Sequence, residues 1–135
     1  MKNEQNRPAE ANAPYVLGEV EGRFASLVWA HAPLPSGELV GLCKEALGWS
    51  KSTTYTVLRK LCEKGFFKNE GGEVQVVLTE ADYRLSRGEA AVRENYGGSL
   101  PAFIAAFAAK NRLTNDELDD IRRLIDAYRR GERHG

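Results

Sequence analysis

The segment from residue 48 to residue 79, GWSKSTTYTVLRKLCEKGFFKNEGGEVQVVLT, constrains the fold more than any other part of the chain. It begins with small and hydroxylated residues, continues with apolar residues at helical spacing, and ends in an alternating pattern around a Gly-Gly pair. These patterns predict one helix and then a β-hairpin. Ser50 is a suitable N-cap for the helix, which we expect to end near Lys64 and Gly65.

Two further helical patterns precede this segment. Apolar residues recur at helical spacing from Leu17 to Val28, and prolines at positions 33 and 35 end that pattern. Ser36 offers an N-cap for a second helix, whose apolar stripe stops at Gly48. Three helices followed by a hairpin is the element order of a winged helix-turn-helix domain. We therefore predict that domain for residues 15–79, in a chain that is mainly α-helical with a small β-hairpin wing.

The remainder of the chain predicts a helical region over residues 80–131. We expect a charged helix from Glu80 to Tyr96, a short alanine-rich helix, and a last helix that opens with the capping box of Thr114 and Glu117. The apolar stripes of the last two helices are wide for the little chain that could cover them, which favours packing against a second copy in a homodimer. An intrachain three-helix bundle is the alternative. The expected dimerisation residues are Leu100, Phe103, Ile104, Phe107, Leu118, Ile121, Leu124 and Ile125.

Composition and charge limit the other functions that the chain can have. Nineteen Lys and Arg residues balance nineteen Asp and Glu residues, so no global field attracts nucleic acid or membrane. Residues 1–14 are polar without an apolar core, and no run of eighteen apolar residues occurs. We expect a disordered N-terminal tail over residues 1–14, no membrane span and a cytoplasmic protein.

Metal binding and catalysis have no support in the sequence. Cys43 and Cys62 stand nineteen positions apart without the spacing of a metal site, so we expect reduced, half-buried thiols. His31 and His134 are expected to be solvated, without a nucleophile and supporting acid nearby. A glycine-rich phosphate loop, HExxH and GxSxG are all absent from the sequence. We predict no cofactor, no metal and no enzymatic activity.

The third predicted helix has two different faces. At 100° per residue, Thr54, Leu58, Leu61 and Cys62 fall on the side that can pack against the first two helices. The opposite side carries hydroxyls and then cations, and residues 51–68 contain five basic residues and one acidic residue. Short hydroxylated side chains let a helix enter the DNA major groove, while Arg and Lys can reach guanine or phosphate. The predicted DNA-binding residues are Lys51, Ser52, Thr53, Thr56, Arg59 and Lys60. An acidic protein partner is the alternative occupant of this face.

Three segments, in the right order, carry a resemblance to a known family. LGEVEGRFASLVWAH, residues 17–31, resembles the opening helix of the BlaI/MecI penicillinase-repressor family, with its LGxLE start and closing tryptophan. STTYTVLRKLCEKGFFK, residues 52–68, is similar to that family's TTVxTxLxRLxxKGxxx recognition helix and turn. GGSLPAFIAAF and LTNDELDDIRRLI, within residues 97–125, resemble its dimerisation segment. The resemblance covers about residues 15–129.

The resemblance implies a homodimeric transcriptional repressor whose third helices bind the major grooves of a palindromic double-stranded DNA operator, upstream of resistance or stress genes. By position, Ser52, Thr53 and Thr56 match the residues nearest the bases, and Lys60 matches the residue that contacts the DNA backbone. The family's copper-responsive members end in a Cys-x-Cys tail, whereas this chain ends in YRRGERHG. The resemblance therefore implies no copper site here.

Two further positions differ from the family pattern. Family wings commonly carry a basic residue where this chain has Glu73, so we expect the wing to contribute less to DNA binding than the third helix. In the best-known members a sensor-linked protease cuts the short Phe-rich helix between an asparagine and a phenylalanine. The matching bond joins Ala106 to Phe107, with alanine in place of the asparagine. A sensor-linked protease is accordingly a candidate partner.

Overall fold

A computed structural model describes residues 15–131 of the 135-residue chain. The predicted disordered tail over residues 1–14 and His134 lie outside the described residues. The described part confirms the predicted order of three helices, a hairpin and three more helices. The helices are α1 (Glu19–His31), α2 (Ser36–Leu47), α3 (Lys51–Glu63), α4 (Glu80–Tyr96), α5 (Leu100–Lys110) and α6 (Asn115–Arg129). The strands are β1 (Leu34–Pro35), β2 (Phe67–Glu70) and β3 (Glu73–Val76).

The sheet has one strand more than the predicted hairpin. β1 pairs antiparallel with β3, so the strand order is β1–β3–β2, and Leu34 lies opposite Val74. A strand of two residues that includes a proline lacks the alternation by which strands are predicted. Gly71 and Gly72 form the hairpin turn, with φ angles of 58° and 84°. A two-residue turn with positive φ at both positions favours glycine, which adopts this conformation without steric cost.

The predicted capping role of Ser36 is wrong. Pro35 occupies the N-cap position of α2 without a side-chain hydrogen bond, and Ser36 is the first helical residue. The Ser36 hydroxyl is instead hydrogen-bonded to the hydroxyl of Tyr55, 2.9 Å away. At the other end of α2, the left-handed Gly48 donates to the carbonyl of Lys44 at 3.1 Å. The first contact joins the start of α2 to α3, and the second ends α2 before the short connection to α3.

The hydrophobic core of the first domain lies between α1, α2, α3 and the sheet. Trp29 of α1 contacts the rings of Phe67 and Tyr83 at centroid distances of 5.8 and 5.9 Å. Its Nε1 donates to the carbonyl oxygen of Leu78, 2.9 Å away, so one side chain holds the segment after the wing against α1. The largest fully buried side chains are Phe24, Phe66, Phe67, Leu39, Leu58, Leu61, Val28 and Val74.

The chain divides into two compact units between Ala90 and Ala91. The second unit contains the end of α4 followed by α5 and α6. The predicted capping box is confirmed: Thr114 Oγ1 accepts from the Glu117 amide at 3.1 Å, and the Glu117 carboxylate accepts from the Thr114 amide at 2.8 Å. No side chain of α5 (Leu100–Lys110) is buried in the protomer.

Candidate nucleic-acid interface

The hydroxyls at the start of α3 are satisfied within the helix. Ser50 Oγ accepts from the Thr53 amide at 3.2 Å and so caps the helix as predicted. The hydroxyls of Thr54 and Thr56 donate to the carbonyl oxygens of Ser50 and Ser52 at 3.0 and 2.9 Å. Serine and threonine normally weaken a helix by competing for backbone hydrogen bonds, but here the competing groups bond to the preceding turn. A hydroxyl-rich sequence can therefore remain helical.

The inner face of α3 packs into the core as predicted. Thr54 is fully buried, as are Leu58 and Leu61, which anchor the helix on α1 and α2. Burial raises the pKa of the Cys43 thiol, an effect that a hydrogen bond with Thr54 opposes. Burial also raises the pKa of Cys62, with a smaller contribution from Glu63. Both cysteines are free thiols; Cys62 is half-buried as expected, but the expectation is wrong for Cys43, which is fully buried in the core.

All the residues that the sequence predicts to bind DNA are exposed. Five of them lie on the outer side of α3, where the short hydroxylated side chains of Ser52, Thr53 and Thr56 precede the longer cations Arg59 and Lys60. Lys51 is the first residue of the helix and is exposed at its N-terminal end. We call these six accessible residues, Lys51, Ser52, Thr53, Thr56, Arg59 and Lys60, the α3 face.

Lys60 is paired with an acidic residue from another helix, which the sequence did not predict. Its Nζ lies 2.9 Å from Oε2 of Glu21 on α1 and 5.1 Å from the centroid of the Tyr15 ring. Hydrogen bonding with Tyr15 and Glu21 raises the pKa of Lys60, and the hydrogen bond from Lys60 lowers the pKa of Glu21. The Nζ of Lys64 lies over the same ring, also 5.1 Å from its centroid.

The positive charge of the region is therefore smaller than the sequence count indicates. Besides Lys60, Lys68 forms an ion pair with Glu70 at 3.5 Å. Within residues 15–131, Lys51 and Arg59 have no carboxylate within ion-pair distance. These two cations are the members of the α3 face whose charge no neighbouring carboxylate offsets.

The wing carries acidic rather than basic side chains at its tip. Glu70 and Glu73 lie directly opposite each other in the register of β2 and β3, and both are exposed. Gln75 donates to the Glu73 carboxylate at 2.6 Å, which fixes the orientation of that side chain without neutralising it. Like charges at opposed positions of a hairpin are unfavourable and also repel phosphate. The wing of this chain is thus poorly suited to contact the DNA backbone.

The helices of the second unit present an apolar surface in the protomer. None of the eight residues predicted for dimerisation is buried, and Leu100 and Leu124 are 55% and 59% exposed. Phe103 contacts the rings of Tyr96 and Phe107 at 5.4 and 6.0 Å, which orders the aromatic part of this surface. Ala106 and Phe107 are both exposed and lie inside α5.

Residues 15–131 offer neither a metal-ligand cluster nor a membrane-spanning helix. No group of three or more His, Cys, Asp or Glu side chains there is arranged to hold a metal ion. In the same part of the chain, no helix is both long enough and apolar enough to cross a membrane.

The fold and the α3 face together define a winged helix-turn-helix protein with an additional helical unit. The chain belongs to the penicillinase repressor family, whose family model matches residues 17–127. The resemblance found in the sequence is thereby confirmed.

Curated relatives are similar over most of the chain at low identity. The methicillin resistance regulatory protein MecI of Staphylococcus aureus is 20% identical over 119 residues, which cover 85% of this chain and 97% of that protein. A penicillinase repressor of Bacillus licheniformis is 20% identical over 117 residues, covering 84% of this chain and 91% of that protein. A second MecI protein, from Mammaliicoccus sciuri, is 19% identical over 119 residues, which cover 85% of this chain and 97% of that protein.

Proposed function

We propose that this protein is a DNA-binding transcriptional repressor that binds a palindromic operator as a homodimer. The observation that carries the proposal is the α3 face, where exposed hydroxyls at the start of a helix-turn-helix third helix are followed by cations. Membership of the penicillinase repressor family supports the same function. The relatives are named as a penicillinase repressor and as methicillin resistance regulatory proteins, which agrees with a regulatory rather than a catalytic role.

In this proposal α3 enters the major groove. The leading residues Ser52, Thr53 and Thr56 have short side chains, so the helix backbone can approach the base edges closely. Lys51 and Arg59 extend farther and lack a carboxylate partner in the described part of the chain, which suits them to phosphate or guanine. Sequence preference would come from the hydroxyls, and most of the affinity from the cations.

The homodimer would form through α5 and α6. Large apolar side chains that remain exposed on both helices are unfavourable in water, and a second copy can cover them with the same surface. A two-fold dimer presents two copies of α3 that are related by the two-fold axis. An operator with two inverted half-sites, about one helical turn apart, matches that symmetry.

A sensor-linked protease remains a candidate partner for release from DNA, and its candidate cleavage bond joins Ala106 to Phe107. Both residues are accessible, but the bond lies in a helix, and a protease needs the chain extended. None of the side chains of α5 is buried in the protomer, so local unwinding has little tertiary packing to oppose it.

A gel-shift titration of the full chain tests the proposal. The probes are the DNA upstream of its own gene and random DNA of equal length, each at two salt concentrations. We expect binding to the upstream DNA at least about 10³-fold tighter than to random DNA, and weaker binding to both at the higher salt. Equal affinity for both probes would contradict the proposal. A stable complex with an acidic protein, without salt-dependent DNA binding, would favour the protein-interaction alternative.

A further inference from the structure

Glu21 lies on α1, outside the α3 face, and its carboxylate is held by three donors. Oε2 accepts from Lys60 Nζ at 2.9 Å and from the Tyr15 hydroxyl at 3.2 Å, while Oε1 accepts from the Gly18 amide at 3.1 Å. The Glu21 side chain is 18% exposed, whereas that of Lys60 is 47% exposed. The carboxylate is thus the fixed member of the pair, and the lysine is the member that can move.

This pair places a carboxylate where a DNA-binding lysine would otherwise be available. An ammonium group already bonded to Glu21 adds no net charge to the surface that faces DNA, and the carboxylate itself repels phosphate. A partly exposed ion pair contributes little free energy, so phosphate can displace the carboxylate at a modest cost. Tyr15 would keep the released ammonium near its position, because Lys60 and Lys64 both lie 5.1 Å from the centroid of its ring.

We propose that Glu21 competes with DNA phosphate for Lys60 and so limits the affinity of the protein for DNA. This inference rests on the proposed function. It assigns to Glu21, a residue that caps α1, a second role in setting how strongly the α3 face binds any DNA. The effect is independent of base sequence, since only the DNA backbone is involved.

The test compares the wild type with Glu21→Gln. Glutamine can still accept the Gly18 amide, as it does in other capping boxes, so the helix start is preserved. Fluorescence anisotropy would measure the binding of the full chain to a labelled duplex of arbitrary sequence, about 20 base pairs long, between about 50 and 200 mM salt. We expect E21Q to bind several-fold more tightly at low salt. Its plot of log K against log salt should be steeper by about 0.9 per protomer. The ratio of the E21Q affinity to the wild-type affinity should therefore fall by about 3.5-fold between the lowest and the highest salt.

Glu19→Gln is the matched control. Glu19 lies in the same first turn of α1, is exposed, and has no ion pair within the described residues. The E19Q substitution changes the net charge by the same amount as E21Q but does not release Lys60. The E19Q protein should therefore bind the duplex with nearly the wild-type affinity. Equal gains in E19Q and E21Q would overturn the inference, and so would weaker binding by E21Q, which would mean that Glu21 positions Lys60 for DNA.

A second comparison separates competition from simple repulsion. Lys60→Gln removes the cation for which Glu21 and phosphate compete. In the K60Q protein, adding E21Q should therefore raise the DNA affinity much less than it does in the wild type. A gain that is unchanged when E21Q is added to the K60Q protein would show that Glu21 acts only as a repelling charge, and it would overturn the inference.

One measurement needs no substitution and so does not depend on the folding of a variant. In NMR spectra of the lysine ammonium groups of the wild type, the signal of Lys60 should shift when the same duplex is added, and an unshifted signal would contradict the inference. Failure of the proposed function has a different signature. In that case the protein binds the DNA upstream of its own gene no more tightly than random DNA, whatever the effect of E21Q on the duplex. Absence of any duplex binding by both the wild type and E21Q at the lowest salt would contradict both proposals.

Discussion

The hydroxyl of Thr56 donates a hydrogen bond to the carbonyl oxygen of Ser52, 2.9 Å away, although both residues lie on the exposed α3 face. Because the proton is engaged in the helix, this hydroxyl can only accept a hydrogen bond from DNA, and its methyl group can contact a thymine methyl. Exocyclic amino groups of adenine and cytosine are the donors available in the major groove.

Thr56→Val should therefore change sequence preference without harming the fold. Valine keeps the shape and the methyl group but removes the acceptor, so discrimination at one base pair should fall by about 1–3 kcal/mol. Stability should change by no more than about 0.5 kcal/mol. Competition binding with single-base variants of a bound site measures this loss. Thr56→Ser is the matched variant, and it should keep the discrimination because it keeps the acceptor; equal behaviour of both variants would contradict the role.

Ser50→Ala should destabilise the domain by removing the N-cap of α3. The Thr53 amide then loses its acceptor, at a cost of about 0.5–2 kcal/mol in the free energy of unfolding. Urea denaturation followed by circular dichroism measures the change. Ser50→Asp should keep most of the stability, and Ser52→Ala, which removes no cap, serves as the control. A loss in S52A as large as that in S50A would contradict the assignment of the cap.

Glu73→Lys should strengthen both the wing and DNA binding. It replaces the opposed pair of Glu70 and Glu73 by opposite charges, which should add about 0.2–1 kcal/mol of stability. A cation at the wing tip should also tighten DNA binding at low salt, with a smaller gain for Glu73→Gln and no gain at high salt. Thermal unfolding and anisotropy titration measure the two effects. Unchanged DNA affinity in E73K would show that the wing tip stays away from the DNA.

The ion pair of Glu21 and Lys60 predicts how stability depends on pH. The lowered pKa of Glu21, caused mainly by the hydrogen bond from Lys60, adds stability above the ordinary value of 4.5, which is lost as the pH falls through the lowered pKa. The raised pKa of Lys60 adds stability below its ordinary value of 10.5, which is lost at higher pH. Urea midpoints at about pH 7, 5 and 3 should fall more steeply in the wild type than in E21Q. Parallel curves would contradict this coupling.

The apolar surface of α5 and α6 predicts that one charged substitution separates the dimer. Phe107→Asp should give a monomer in analytical ultracentrifugation and lower the affinity for a two-half-site DNA by roughly 10²–10⁴-fold, because the half-sites are no longer bound together. Leu85→Asp, at an exposed leucine of α4, is the control and should leave the dimer intact. A dimeric F107D protein would refute the role of this residue.

The sequence predicted the elements of the fold well because their signals are local. The spacing of apolar residues predicts α3 and its buried side, and the Gly-Gly pair predicts the turn of the wing. β1 was not predicted because a strand of two residues is too short to show the alternation of apolar and polar residues. The misassigned cap at Ser36 is an error of one position, since periodicity defines the start of a helix only approximately.

The candidate site was predicted less completely than the fold. Helical periodicity shows which side chains of α3 point outward, and the exposure of Lys51 and Arg59 agrees with it. It does not show what approaches that face from elsewhere in the chain. Glu21 and Tyr15 reach Lys60 only because packing places α1 and the residues before it next to α3. A count of charges in one segment therefore overstated the positive charge of the site.

Selection of DNA by the full chain from a pool of random duplexes, followed by sequencing, tests whether the protein reads an operator as a dimer. We predict an inverted repeat whose half-sites are centred about 10 base pairs apart, or a multiple of that distance. Thr56→Val should select a repeat altered at the same position in both halves. Enrichment of no motif, or of a single half-site without its inverted copy, would contradict the account of a dimeric repressor that reads DNA through α3.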